Sequence, residues 1–172
     1  MPRTFACLAI GDLIVLIGTG VAGVLRLFST PDVHIALGVF SLLVSCLIQV
    51  LVSTYLTVSG KVIAQAVHLG KLDADPLRRL AQRKRTNTRL VAAVVVSIVL
   101  VTATGASHWR ARVWSIWHFG SALALLGAHL LALAWQYLLV ADNSADLEAT
   151  LAAYTDHRPA TATAGGAARA NE

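Results

Sequence analysis

Charge is what this chain has least of. Asp, Glu, Lys and Arg supply 13% of its 172 residues, and apolar residues supply 56%. Mean hydropathy is +0.68. That balance leaves too little polar surface for a soluble domain and belongs to a chain whose solvent is lipid. Cysteine is nearly absent. Cys7 and Cys46 stand apart in apolar segments, which argues against a disulfide framework and against a paired-cysteine metal site. Catalytic signatures are missing too: there is no Walker loop, no HExxH and no serine elbow. Ser59-Gly60-Lys61 lacks the preceding glycine of a phosphate loop. No interleaving of basic and aromatic residues points to nucleic acid. A non-catalytic membrane component is therefore expected, at most an electron-transfer subunit.

Four long apolar runs fill the chain, at about 5–28, 33–56, 90–105 and 113–140. A helix needs about 20 apolar residues, at about 1.5 Å each, to cross the hydrocarbon core. The expected fold is all-α, an integral membrane four-helix up-down bundle. The first run is too long for an ordinary signal sequence and reads as an uncleaved span. Ser29-Thr30-Pro31-Asp32 is a turn, so spans one and two are antiparallel neighbours.

Residues 57–89 form the one large loop. Val62, Ile63, Ala66 and Val67 keep a helical period up to Gly70, a plausible C-cap, and Asp75-Pro76 reads as N-cap and first helical residue. The loop is thus a helical hairpin extending spans two and three. It and its edge carry Lys61, Lys71, Arg78, Arg79, Arg83, Lys84, Arg85 and Arg89, against Arg26, Arg110 and Arg112 at the opposite end. The positive-inside rule then puts the hairpin and both termini in the cytoplasm of a bacterial inner membrane. Arg78, Arg79, Arg83, Lys84 and Arg85 are expected to meet anionic headgroups. Leu147, Leu151 and Tyr154 suggest a short surface helix over 144–154, and the Ala/Thr/Gly tail, 157–172, reads as disordered. A partner subunit or a homo-oligomer is an open expectation.

The spans are not uniformly apolar. On span four, His118, His129 and Gln136 fall within about 20° of one another, with Ala122 and Ala132 on the same stripe. On span two, His34, Gly38, Ser41, Ser45 and Gln49 form the counterpart. On span one, Asp12, Thr19, Gly23 and Arg26 share a face. Polar groups at membrane depth turn toward other helices. His34 and His118 lie at similar depth on facing stripes, a pattern suited to one b-type haem, with Gly38 and Ala122 leaving room for the macrocycle. His34, His108 and His118 are a weaker candidate metal set. Asp12, Gln49, His129 and Gln136 form an inner polar cluster that would relay protons or line a quinone pocket. The bland alternative is a neutral Asp12 bonded to Ser53, Gln49 or Gln136. Laying His34 on His118 makes spans two and four look faintly alike, but few residues match and no repeat is assigned.

The histidine pair and the span count resemble small four-helix b-type cytochromes, such as the membrane anchors of succinate dehydrogenase. That resemblance implies a haem-holding anchor passing electrons between a quinone and a partner. Tyr55, Ser59, Gly60 and Lys61 also look like the Tyr-Phe-x-Gly-Thr-Gly-Arg/Lys stretch closing the second span of some uncharacterised small four-span bacterial membrane proteins. Trp117-His118 opening the last span is similar too, whereas Leu56 and Val58 depart from the pattern. That group implies a fold and no activity. Three readings stand: a small haem-b electron-transfer or anchor subunit, a cofactor-free structural adaptor, and a proton or ion pathway through Asp12.

Overall fold

The computed structural model describes residues 1–25, 31–111 and 116–157, without the side chains of 31 and 106–111. Arg26, the turn at 29–30, Arg112, Trp114, the side chains of His108, Trp109 and Arg110, and the tail at 158–172 lie outside the described residues. Four helices follow in order: α1 (Pro2–Val24), α2 (Pro31–Gly70), α3 (Asp75–Ala111) and α4 (Ile116–His157). Each is long and apolar enough to cross a membrane.

In a helix the backbone N–H and C=O groups pair within the run, which suits long apolar segments that offer no other partner. Their hydroxyls are handled in the same way. Ser53, Thr57, Ser97 and Thr102 each donate to the carbonyl four residues back, so even exposed ones present no bare donor. Pro2 sits in the first turn of α1, where its missing N–H costs nothing. Asp75 lies inside the first turn of α3 rather than capping it. Its N–H is held by the Asp73 carboxylate at 3.1 Å, and the Ala74 carbonyl accepts from Leu77 and Arg78.

α1 packs against α2 and α4, and α3 packs against the same two. α2 and α4 also touch across the middle, while α1 and α3 do not meet among the described residues. The cross-section is a rhombus with α2 and α4 on its short diagonal. Phe5, Ala9, Ile48, Val52, Leu56, Leu133 and Val140 make the apolar core. Leu8, Ile14, Leu43, Leu47, Val96 and Leu131 are exposed on the outside, an apolar exterior consistent with a multi-pass membrane protein.

Two expectations are corrected. Residues 106–111 continue α3 instead of forming a loop. α4 does not end at Val140 with a separate surface helix beyond it. It runs unbroken to His157 and stands against the α2–α3 hairpin, because Asp146 and Tyr154 find partners there. The hairpin end is therefore three helices thick.

α2 and α4 bury the same register. Eleven residues past His34 and His118 come Ser45 and His129, both buried. Twenty-five residues past them come Ser59 and Asn143, both buried and bonded to each other at 2.8 Å. Ile48 with Ala132, Val52 with Gln136, and Leu56 with Val140 match between them. The likeness lies in burial more than in residue identity.

The α2 C-terminus differs from expectation in one residue. Gly70 is the last helical residue, and the left-handed position falls on Lys71, at φ 49°. Leu72 N–H closes back on the Val67 carbonyl at 3.1 Å. Gly70 has a different duty: a Cβ there would stand 3.0 Å from both Leu72 and Tyr154. Lysine in the left-handed region costs more than glycine does. Lys71→Gly should therefore stabilise the protein by about 0.5–1 kcal/mol in chemical unfolding in detergent; a loss would mean that the turn is held by the lysine side chain.

Candidate functional site: a ladder of buried polar contacts

Asp12 lies about 15 Å along α1 by helix rise. It is 1% exposed. Ser45 on α2 donates to its Oδ1 at 2.9 Å, and Oδ2 meets His129 Nε2 on α4. His129 is fully buried, and its Nδ1 has no partner among the described residues. A carboxylate and an imidazole, each stripped of water, thus share one short contact in the middle of the bundle. Asp12 does not bond Ser53, Gln49 or Gln136. Ser45 takes that place because it stands at the level of His129 on the helix opposite.

A second rung lies toward the hairpin end. Gln136 Nε2 donates to Gln49 Oε1 at 2.6 Å and to Asn87 Oδ1 at 2.9 Å. Asn87 in turn donates to Ser53 at 3.0 Å. This rung joins α2, α3 and α4 through neutral amides. Gln49 Nε2 and Gln136 Oε1 remain buried and unpartnered. A third rung follows: Asn143 donates to Ser59 at 2.8 Å, and the Tyr55 and Ser144 hydroxyls meet at 2.8 Å. Away from the hairpin, Thr19 bonds Ser41 and Thr104 bonds Ser121.

Among the described residues, the arginine ion pairs lie past the third rung. Arg79 holds both oxygens of Asp146, at 3.0 and 3.1 Å, and Arg83 adds a contact at 2.6 Å. The Arg79 hydrogen bonds, against desolvation and helped by Arg83, hold the Asp146 carboxyl below its ordinary range. Arg83 is 13% exposed and faces this carboxylate rather than headgroups, a correction to its expected lipid role. Arg78 and Arg85 remain exposed.

The expected haem pair is not assembled. The His34 ring lies against Gly23 of α1, so closely that a Cβ there would overlap it. The His118 ring lies against Gly105 of α3, 3.0 Å from where a Cβ would sit. Since α1 and α3 flank opposite sides of the α2–α4 diagonal, the rings lean apart. Further in, Ser41 and Leu125 are buried, and the Ser41 hydroxyl meets Thr19 of α1 at 2.7 Å. A Cβ on Gly38 would meet nothing within 4 Å, so that glycine borders open space, and Ala122 is half-buried. This packing gives no support to a haem held between His34 and His118. Among the described residues no three His, Cys, Asp or Glu side chains converge as a metal site; the His108 side chain is not among them.

Sequence reasoning found Asp12, Gln49, His129 and Gln136, and the structure places them on two adjacent rungs. It missed Asn87, Asn143 and Asp146. Asn87 sits in a run of basic residues and reads as loop edge, although its helical phase with Val94 was available in the sequence. No family model, curated protein or solved structure matches the chain.

Removing one partner from a buried hydrogen-bonded pair leaves the other unsatisfied, at a cost of about 1–3 kcal/mol or more, while replacing both with apolar residues costs far less. His129→Leu should thus destabilise the bundle by that amount, and adding Asp12→Leu should recover most of it. Additive losses in chemical unfolding would show that the two groups are not coupled. A second outcome concerns pH. Because the folded carboxyl of Asp146 is depressed, its contribution is present above its ordinary value of 3.8 and is lost as pH falls through the folded value. Asp146→Asn should lower stability at neutral pH, and the gap to wild type should close below about pH 4. A gap that persists there would locate the effect in packing.

Proposed function

We propose that this is a multi-pass inner-membrane protein, with both termini and the three-helix end in the cytoplasm, that moves protons through Asp12 and His129. Eight basic residues at the hairpin end support the orientation. The observation that carries the function is the Asp12–His129 contact at half depth, with His129 Nδ1 buried and unpartnered. An ionisable pair inside a span is expensive and is kept where something depends on it.

The chemistry follows from the hydrogen-bond inventory. With Asp12 ionised, its oxygens accept from Ser45 and from His129 Nε2–H, and Nδ1 holds a bare lone pair. A proton arriving at Nδ1 makes an imidazolium stabilised by the adjacent carboxylate. Its Nδ1–H then has no acceptor among the described residues. Such a group passes a proton on. The amide and hydroxyl rungs lie on the cytoplasmic side and polarise the path, with intervening gaps of about 6–10 Å by helix rise that water must bridge.

The adaptor reading has its own support in the Asp146–Arg79–Arg83 clamp and in exposed Arg78 and Arg85, which suit anionic lipid. One experiment separates the two. Purified protein in liposomes with an internal pH dye, under a potassium diffusion potential, should acidify or alkalinise faster than empty liposomes. Asp12→Asn should return the rate to the empty-liposome value while eluting as a folded species. Flux equal in wild type and empty vesicles, or unchanged in Asp12→Asn, leaves the adaptor.

A further inference from the structure

A groove of about 470 Å³ opens sideways between α2 and α3. Its walls are largely apolar, with Cys46, Val50, Val58, Val91 and Val95 among them, and Gln49 contributes to the lining. It follows α2 for about 18 Å by helix rise, and Gln49 lies toward its deep end. Gln49 is 3% exposed, its Oε1 is taken by Gln136, and its Nε2 has no partner among the described residues. Ser53, the next polar residue along, already donates to the Gln49 carbonyl and accepts from Asn87. A buried donor is thus left over on a residue that lines a lateral opening, whose other walls are largely apolar apart from the Ser53, Thr54 and Thr57 hydroxyls. Buried polar groups in native proteins are almost always paired.

We infer that the groove binds an uncharged, carbonyl-bearing apolar molecule dissolved in the bilayer, with the carbonyl accepting from Gln49 Nε2. Depth selects this class over a phospholipid. Lys61 is the first charge on α2 beyond the groove, and Gln49 lies about 18 Å deeper by helix rise. A lipid anchored by its phosphate at Lys61 keeps its ester carbonyls near the interface and presents only methylenes to Gln49. The occupant therefore carries its acceptor on an apolar body able to sit at mid-leaflet, as a quinone or a long-chain ketone does. The inference rests on the membrane insertion proposed above and not on proton transfer, so the flux assay and the binding assay fail independently.

The probe is decylubiquinone, measured as the amount retained by protein-bearing nanodiscs above protein-free nanodiscs. Retention should saturate, and an excess of decylbenzene, which has the tail without a carbonyl, should not displace it. Gln49→Leu should raise the half-saturating concentration roughly 3–10-fold, the worth of one neutral hydrogen bond. Because Gln49→Leu also removes the acceptor of Gln136, a second variant is needed. Val95→Trp fills the groove from α3 without touching the polar rungs and should abolish saturable retention. Retention no greater than in protein-free discs, displacement by decylbenzene, or an unshifted curve in a folded Val95→Trp or Gln49→Leu protein each overturns the inference.

Discussion

Everything in the bundle is arranged around one carboxylate that has no water. Asp12 is tolerable at its depth only because Ser45 and His129 reach it from two other helices. That requirement fixes more than a local contact. α1 leans on both α2 and α4, so the shared contact pins three helices at a single level. A slip of α1 by one turn would leave the carboxylate beside Leu125 or Leu133 on α4, without an imidazole. For helices of this apolarity, hydrophobicity alone would give one face little reason to prefer another in a bilayer, so a penalty of this size is a strong source of register. The same burial that sets register also holds an ionisable group at the middle of the bundle, within reach of both partners.

The remaining rungs work by number more than by strength. Interhelical hydrogen bonds in membranes average about 0.6 kcal/mol each. The Gln136–Gln49–Asn87–Ser53 rung and the Asn143–Ser59 bond are neutral, so neither needs a counter-charge. Their effect is on which faces meet. They turn the amide faces of α2, α3 and α4 inward and leave valine and leucine to the outside. Beyond the apolar stretch, water is available and the contacts become ionic. Asp146 with Arg79 and Arg83 then joins α4 to α3 where the bundle has only three helices.

The four helices and their order were legible because twenty apolar residues in a row have one main physical explanation. The inner cluster was legible for a related reason: Asp12, Gln49, His129 and Gln136 are costly in lipid and must face inward. Periodicity stops there. It says that His34 and His118 share a stripe with deeper polar residues, but it does not say which neighbouring helix each ring meets. Gly23 and Gly105 decide that, by leaving a place for a ring on α1 and on α3. The extension of α4 was hidden for a different reason. Asp142-Asn143-Ser144 resembles a helix break when read alone, and only Ser59, Tyr55 and Arg79 on other helices turn it into a continuation.

The shared register of α2 and α4 gives the asymmetry of the site its meaning. The two helices bury equivalent positions, and α1 and α3 flank them with Gly23 and Gly105 in like places against His34 and His118. A frame of that kind offers each polar position twice. Where α1 places Asp12, the corresponding level of α3 has the buried Val94; where α1 places Phe5, α3 has the buried Asn87. The carboxylate is thus used once, at the level where Ser45 and His129 converge, and the amide once, one rung nearer the hairpin. Two carboxylates at one level would repel each other across a dry core, and a single one needs only two donors. An even frame filled unevenly is what confines the Asp12–His129 pair to one flank of the α2–α4 diagonal and leaves the α3 flank at that level, marked by buried Val94, without a charge.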